Sequence, residues 1–526
     1  MSTYFHQMMG VLSSGKAWDY TNSSNYYFAT NRFVTPFNSP AAVGANVCQC
    51  PSVYMGVADF PSHSFRFALA SHYSVNSGAY PTEFAATHTI TVEGVSVGYG
   101  PTNDPTLATW VAGTIGGSAG VVLDPTTNSV GVLTDDIISA GSPIPAGYHR
   151  WFRVAYALPS GASLAANLSF FGTTLEGVAL GSTSQAAKLT NGAAITSTGS
   201  TPTSAWGPCY AVCKGHAGKP VFLVWGNSIG AGQNETSYAN FGASTPGFLM
   251  RGLDDTSGPG RFFGANFCVP GSRPSDYTTN GRTAVAKKFD ILELCPNVPF
   301  THILSEHGTN ANGTGWAGST TGATLIASMK NYCDMISAEF GGVPVAQTTI
   351  LQKIGATTDG YTTVSGQTPS NGFKAVGSDT DANERWMRFN AKLVLDRCDG
   401  KFHSFINTAA IFGDATQADR MADVPWQTTL AAQYTSGDTI SVVDAPPSVH
   451  YGLTVGADSQ RSRTIRSITG TGPYSVRFTV APTTPGSPLA IGTVVKAVSS
   501  TDGLHPAGNR HIDMAAAVIA WKASAF

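Results

Sequence analysis

From Lys219 onward the chain alternates short apolar runs with segments of helical period, and this alternation restricts the possible folds more than any other feature. VFLVW (221–225), RFFGANF (261–267), FTHILSE (300–306), VPVAQTTI (343–350) and KFHSFIN (401–407) read as five buried strands. Helices are predicted between them. One runs over about 320–340 and ends at Gly341 and Gly342. Another runs over about 381–398, opening on Asp381 with Glu384 three residues later, a capping-box-like start, and stopping near Gly400. Buried strands separated by helices imply an α/β fold, a parallel sheet with helices on both faces.

A chain of 526 residues is too long for one ordinary core, so several units are expected. Its 58 glycines and only 12% charged residues suit a rigid, loop-rich β framework outside the α/β part. SFRFALASHY, HTITVEGVSVGYG, VGVLTDDII and HRWFRVAYAL, with turn residues between them, predict an antiparallel β-sandwich of jelly-roll type before Lys219. Strand patterning returns in DTISVVDA, YGLTVGA, RSRTIRSI, YSVRFTV and TVVKAV. A last helical stretch, Pro506 to Trp521, then resumes the α/β pattern, so the second β region reads as an insertion. The expected organisation is a β-sandwich over 1–215, the α/β domain over 216–427, an inserted β module over 428–498, and the end of the α/β domain over 499–526.

With 30 Lys plus Arg against 32 Asp plus Glu, the chain lacks the basic footprint of a nucleic-acid binder. No apolar run reaches membrane-spanning length, and the N-terminus does not read as a secretory signal. The composition suits extracellular or virion proteins, and a cytoplasmic location stays open. Eight cysteines do not make a disulfide scaffold in so long a chain. Cys209, Cys213 and His216 form part of a metal-ligand set with no evident fourth member, so no metal is expected.

Four short segments carry possible chemistry. Ser228 follows the strand VFLVW inside Gly226-Asn227-Ser228-Ile229-Gly230, where ligand sites of open α/β sheets lie. Val269-Pro270-Gly271-Ser272 follows the second strand and offers the Gly271 N–H as a donor. His307-Gly308-Thr309-Asn310 follows the third strand, at the same sheet edge, and offers the Asn310 amide. Asp502-Gly503-Leu504-His505-Pro506 precedes the last helix and can deliver carboxylate and imidazole together. Taken singly, each is more often an ordinary loop or helix start.

In this order the four resemble the SGNH (GDSL-like) hydrolase superfamily, over roughly 219–427 and 499–526. The resemblance implies a flavodoxin-like α/β/α domain, acyl transfer to Ser228, and a triad completed by His505 and Asp502. It also implies an oxyanion hole from the Ser228 and Gly271 N–H groups plus the Asn310 side chain, with neither metal nor cofactor. One departure is Asn227, where the family usually has Asp; that Asp is not the triad carboxylate, so the nucleophile's identity does not depend on it.

Among the other histidines, His302 is expected in the core, His511 on the last helix facing solvent or sheet, and His307 as a weak candidate for substrate contact. The flanking β regions favour an acetylated polysaccharide as substrate and a carbohydrate O-acetylesterase activity. A phage tail spike or tail fibre deacetylase has the same looks, and a tail spike would be a homotrimer. The rival readings are a carbohydrate-binding or virion structural protein with a decayed hydrolase domain, and a lipid or polyester esterase. Neither nucleic acid nor membrane is expected as a partner.

Overall fold

The computed structural model describes residues 25–33, 40–76, 81–170, 176–192, 195, 203–215, 219–232, 247–274, 276–277, 286–295, 300–310, 321–359, 361–422, 424, 426–446, 452–455, 463–478, 488–498, 500 and 505–526. Asp502 and His216 lie outside the described residues.

Each of the five apolar runs forms a strand: Val221–Gly226, Phe263–Asn266, His302–Glu306, Val345–Thr348 and Ser404–Ile406. All pair in parallel, in the order second, first, third, fourth, fifth. The period-two geometry of a strand explains why the runs are apolar throughout. In the first strand Val221, Leu223 and Trp225 join one core, with Phe289, Tyr332 and Phe389. Phe222 and Val224 join a second core, with Phe248, Leu253, Met514 and Val518. The helices Ala286–Glu293, Gly322–Glu339 and Asp381–Gly400 therefore cover one face, and Gly247–Asp254 and Gly508–Ala525 the other. The molecule is a mixed α/β protein, rich in strands.

Two helix details differ from expectation. The cap of the helix at 381 is Thr380, whose hydroxyl accepts from the Asn383 N–H, while Glu384 accepts from the Asp379 N–H. Its regular part stops before Asp396, which leaves the helical region at φ −148° and ψ 18°, and Arg397, Cys398 and Asp399 then adopt left-handed φ of 57°, 53° and 63° before Gly400. Lys392 bridges Asp396 and Asp399 across this reversal.

Before Lys219 the two largest sheets among the described residues are antiparallel. One pairs Tyr27–Phe28, Pro208–Lys214, His63–Ala70 and Gly131–Leu133 in that order. The other runs Gly177–Gly181, Cys48–Val57, His149–Ala157, Ile90–Gly100 and Thr109–Gly113, with Val121–Leu123 also paired to Ile90–Gly100. Their apolar residues are continuous with the α/β core. Asn31 donates to Phe262 O at 2.9 Å and accepts from Gly264 N–H at 2.8 Å, and the Tyr210 hydroxyl donates to Ile291 O at 2.7 Å. The Glu83 carboxylate also takes the N–H groups of Lys287 and Lys288 at a helix start.

Between the fifth parallel strand and the last helix lies a six-stranded antiparallel sheet with its own core. Its order is Gln427–Thr429, Val494–Val498, Gly452–Val455, Arg463–Thr469, Tyr474–Phe478 and Thr439–Val442. Val443 N–H donates to Thr429 O and Ala431 N–H to Ser441 O, so the first and last strands meet and the sheet closes into a small barrel. No helix among the described residues is long and apolar enough to cross a membrane.

Candidate active site

The first parallel strand lies between the second and the third, in register Val224 with Asn266 and Gly226 with Glu306. The segments that leave these three strand ends and carry Gly271, Ser228 and Asn310 therefore start side by side at one edge of the sheet. The turn after Gly226 is tight: Ala231 N–H donates to Asn227 O and Gly232 N–H to Ile229 O, both at 3.0 Å. Ser228 is held at its apex, and its Oγ lies 2.8 Å from His505 Nε2. The sequence separates these two residues by 277 positions. A hydroxyl held against an imidazole nitrogen at this distance can lose its proton as it attacks an acyl carbon.

The Gly271 segment is fastened to the strand that carries Ser228. Val269 N–H and the Ser272 hydroxyl both donate to Gly226 O at 2.9 Å. Gly271 itself sits at φ 78°, a left-handed conformation that a side chain would strain. On the other side the Asn310 amide nitrogen is buried with no hydrogen-bond partner among the described residues. A buried amide donor in that state costs stability unless something else uses it, and an oxyanion is such an acceptor.

His307 does not reach the site in the way expected from its position. Its ring is fully buried, with Nδ1 3.0 Å from the Tyr332 hydroxyl and Nε2 3.0 Å from Ser272 Oγ. Because the Ser272 hydroxyl gives its proton to Gly226 O, the network assigns the ring proton to Nε2 and makes Nδ1 the acceptor from Tyr332. Burial holds the imidazole neutral, its pKa pushed down to about 3. His307 thus braces the Gly271 segment from below. His302 stacks on Phe222, and His511 is buried near Phe248 rather than facing solvent.

Glu306 is the residue that sequence reasoning passed over. It closes the third strand directly beneath the Ser228 turn and is only 3% exposed. Its Oε2 accepts from Asn227 N–H at 3.2 Å and from Gly230 N–H at 3.1 Å. Burial raises its pKa to about 8. The available signal was a lone carboxylate at the end of an otherwise buried strand.

Among the described residues no group of three or more His, Cys, Asp or Glu is placed to hold a metal ion. Cys209 and Cys213 are buried thiols on one strand of the N-terminal sheets.

Solved esterases are among the chains it is similar to. One is a carbohydrate esterase family 2 enzyme with a carbohydrate-binding domain from Corynascus thermopiles, at 10% identity and TM-score 0.26, covering 72% of this chain and 88% of that one. Another is a variant of an acetyl xylan esterase from Geobacillus stearothermophilus, at 12% identity and TM-score 0.22, covering 36% of this chain and 76% of that one. A third, described as a lipolytic protein of the G-D-S-L family from Desulfitobacterium hafniense, gives 8% identity and TM-score 0.23, covering 38% of this chain and 83% of that one. TM-scores of this size do not establish a shared fold or activity. No family model matches the chain, and no curated protein does.

Proposed function

We propose that the protein is a serine ester hydrolase of the SGNH type, with Ser228 as nucleophile, His505 as general base and Asp502 as the carboxylate that orients it. The reading is carried by the 2.8 Å contact between Ser228 Oγ and His505 Nε2, and the buried Asn310 amide nitrogen, which has no partner among the described residues, supports it. In the first half-reaction Ser228 Oγ attacks the acyl carbon as its proton passes to His505 Nε2. The carbonyl oxygen becomes an oxyanion held by Asn310 Nδ2 and the N–H groups of Ser228 and Gly271. Collapse returns the proton to the departing alkoxide and leaves an acyl-Ser228 ester. Water then attacks that ester with His505 again as base, releasing the acid and restoring Ser228.

The strand order supports a flavodoxin-like reading of the catalytic domain, over 216–427 and 499–526, with 1–215 as a β-sandwich and 428–498 as an inserted module. For substrate, the proposal is an O-acetylated polysaccharide, because two β units flank a small catalytic core and can grip an extended chain. An extracellular or virion setting, such as a trimeric tail spike, fits a glycine-rich, weakly charged β framework. The test pairs acetate release from acetylated polysaccharides with a para-nitrophenyl ester series of increasing acyl length. Acetate release and a preference for acetyl are expected. Preference for long acyl chains would indicate a lipid or polyester esterase, and no turnover of any ester would overturn the enzymatic reading in favour of a binding or structural protein.

A further inference from the structure

The departure at position 227 has a partner in the fold. The side-chain amide of Asn227 is used at both ends: Oδ1 accepts from Ile229 N–H at 2.9 Å, and Nδ2 donates to the main-chain oxygen of Glu306 at 3.3 Å. The Glu306 carboxyl group returns the contact, since its Oε2 takes the N–H groups of Asn227 and Gly230, which flank Ser228 in the turn. The turn's glycines fit the same neighbour. A Cβ at Gly226 would come within 2.9 Å of Glu306 Cβ and 3.0 Å of Cys268 Sγ, and one at Gly230 within 2.7 Å of Cys268 Sγ and 3.3 Å of Glu306 Oε2.

We propose that Glu306 is a positioning residue that shapes the turn carrying Ser228, and that Asn precedes the nucleophile because position 227 faces this buried carboxyl group. The inference rests on the reading of Ser228 as nucleophile. An aspartate at this position keeps the acceptor for Ile229 N–H but replaces the donor to Glu306 O with a second acceptor, so two oxygens face each other. It also buries a charge beside Glu306, where two neighbouring carboxylates cannot both be ionised. Either effect shifts the turn and therefore the Ser228 hydroxyl relative to His505. Glu306 touches neither reacting atom; it acts through the backbone on both sides of one.

Four variants test this on a small acetyl ester: Glu306→Ala, Glu306→Gln, Asn227→Asp, and the last two combined. For Glu306→Ala, kcat is expected to fall about 30-fold or more with KM changed less than about twofold, since small misplacements of a nucleophile cost about that much. Glu306→Gln retains the acceptor oxygen and stays within about fivefold of wild type. Asn227→Asp loses roughly tenfold or more alone, and much of that loss returns in the Glu306→Gln background, where the new amide can donate to the introduced carboxylate. Equal penalties for Asn227→Asp in both backgrounds, or a Glu306→Ala enzyme with wild-type kcat, would overturn the proposal. If Glu306→Ala does not fold, the two Asn227→Asp arms decide, with thermal melts as a second readout of the same coupling. Ser228→Ala in the same assay keeps the readings apart: activity in that variant refutes Ser228 as the nucleophile, whereas the melts still report on the pair.

Discussion

The Ser500 hydroxyl donates to the main-chain oxygen of His505 at 2.7 Å, and Ser500 also forms a β-bridge with Pro506. Ser500 lies two residues beyond Val494–Val498, a strand of the inserted barrel, so the barrel and the loop carrying the imidazole are joined at the site itself. Replacing Ser500 by Ala should loosen His505 without removing any reacting group. One lost hydrogen bond of about 0.5–1.5 kcal/mol corresponds to roughly a 2- to 12-fold fall in kcat. The fall should be equal on a small acetyl ester and on acetylated polysaccharide. A loss confined to the polymer would show instead that Ser500 acts through substrate recognition.

Asn310→Ala is expected to lower kcat by about 10² to 10³ while KM changes little, because an oxyanion donor is used in the transition state and not in the ground state. The buried amide nitrogen has no other partner among the described residues, so its removal should not lower the melting temperature. Steady-state kinetics on a small ester, with a thermal melt, check both halves. A raised KM at unchanged kcat would make Asn310 a substrate-binding residue.

Glu306 gives a pH signature in stability. Its pKa is raised from an ordinary 4.5 to about 8, so across that interval the folded chain holds a proton that the unfolded chain releases. Its contribution is therefore most favourable below the usual carboxylate pKa and is lost as pH rises toward about 8. The stability difference between wild type and Glu306→Gln, from urea melts, should move against wild type by up to roughly 1.4 kcal/mol per pH unit over that window. A difference that stays flat from about pH 5 to 8 would contradict the buried, protonated state.

The five parallel strands were legible because burial on both faces leaves no polar alternation to confuse with a loop. Ser228 and His505, which lie within 2.8 Å of each other, stood out in the sequence because each occupies a segment next to a strand end or helix start. The helix does begin at Asp381, but its cap lies one residue earlier than expected, since Thr380 and Asp381 are both competent caps and only backbone geometry separates them. Gln427–Thr429 is too short to show a period. Glu306 escaped because its partners, the N–H groups of Asn227 and Gly230, lie 79 and 76 residues away. His307 belongs to a motif that borders the site, but the direction of its ring is set by Tyr332 and Ser272.

The central claim is that Ser228 is an activated nucleophile, and covalent labelling tests it most directly. Incubation with a fluorophosphonate ester, followed by mass spectrometry of intact protein and of its peptides, should show a single adduct on Ser228, formed much more slowly in a His505→Ala variant and absent in Ser228→Ala. The same Ser228→Ala protein should melt near the wild-type temperature and hydrolyse no ester. Labelling at another residue, or turnover by Ser228→Ala at the wild-type rate, would contradict the account.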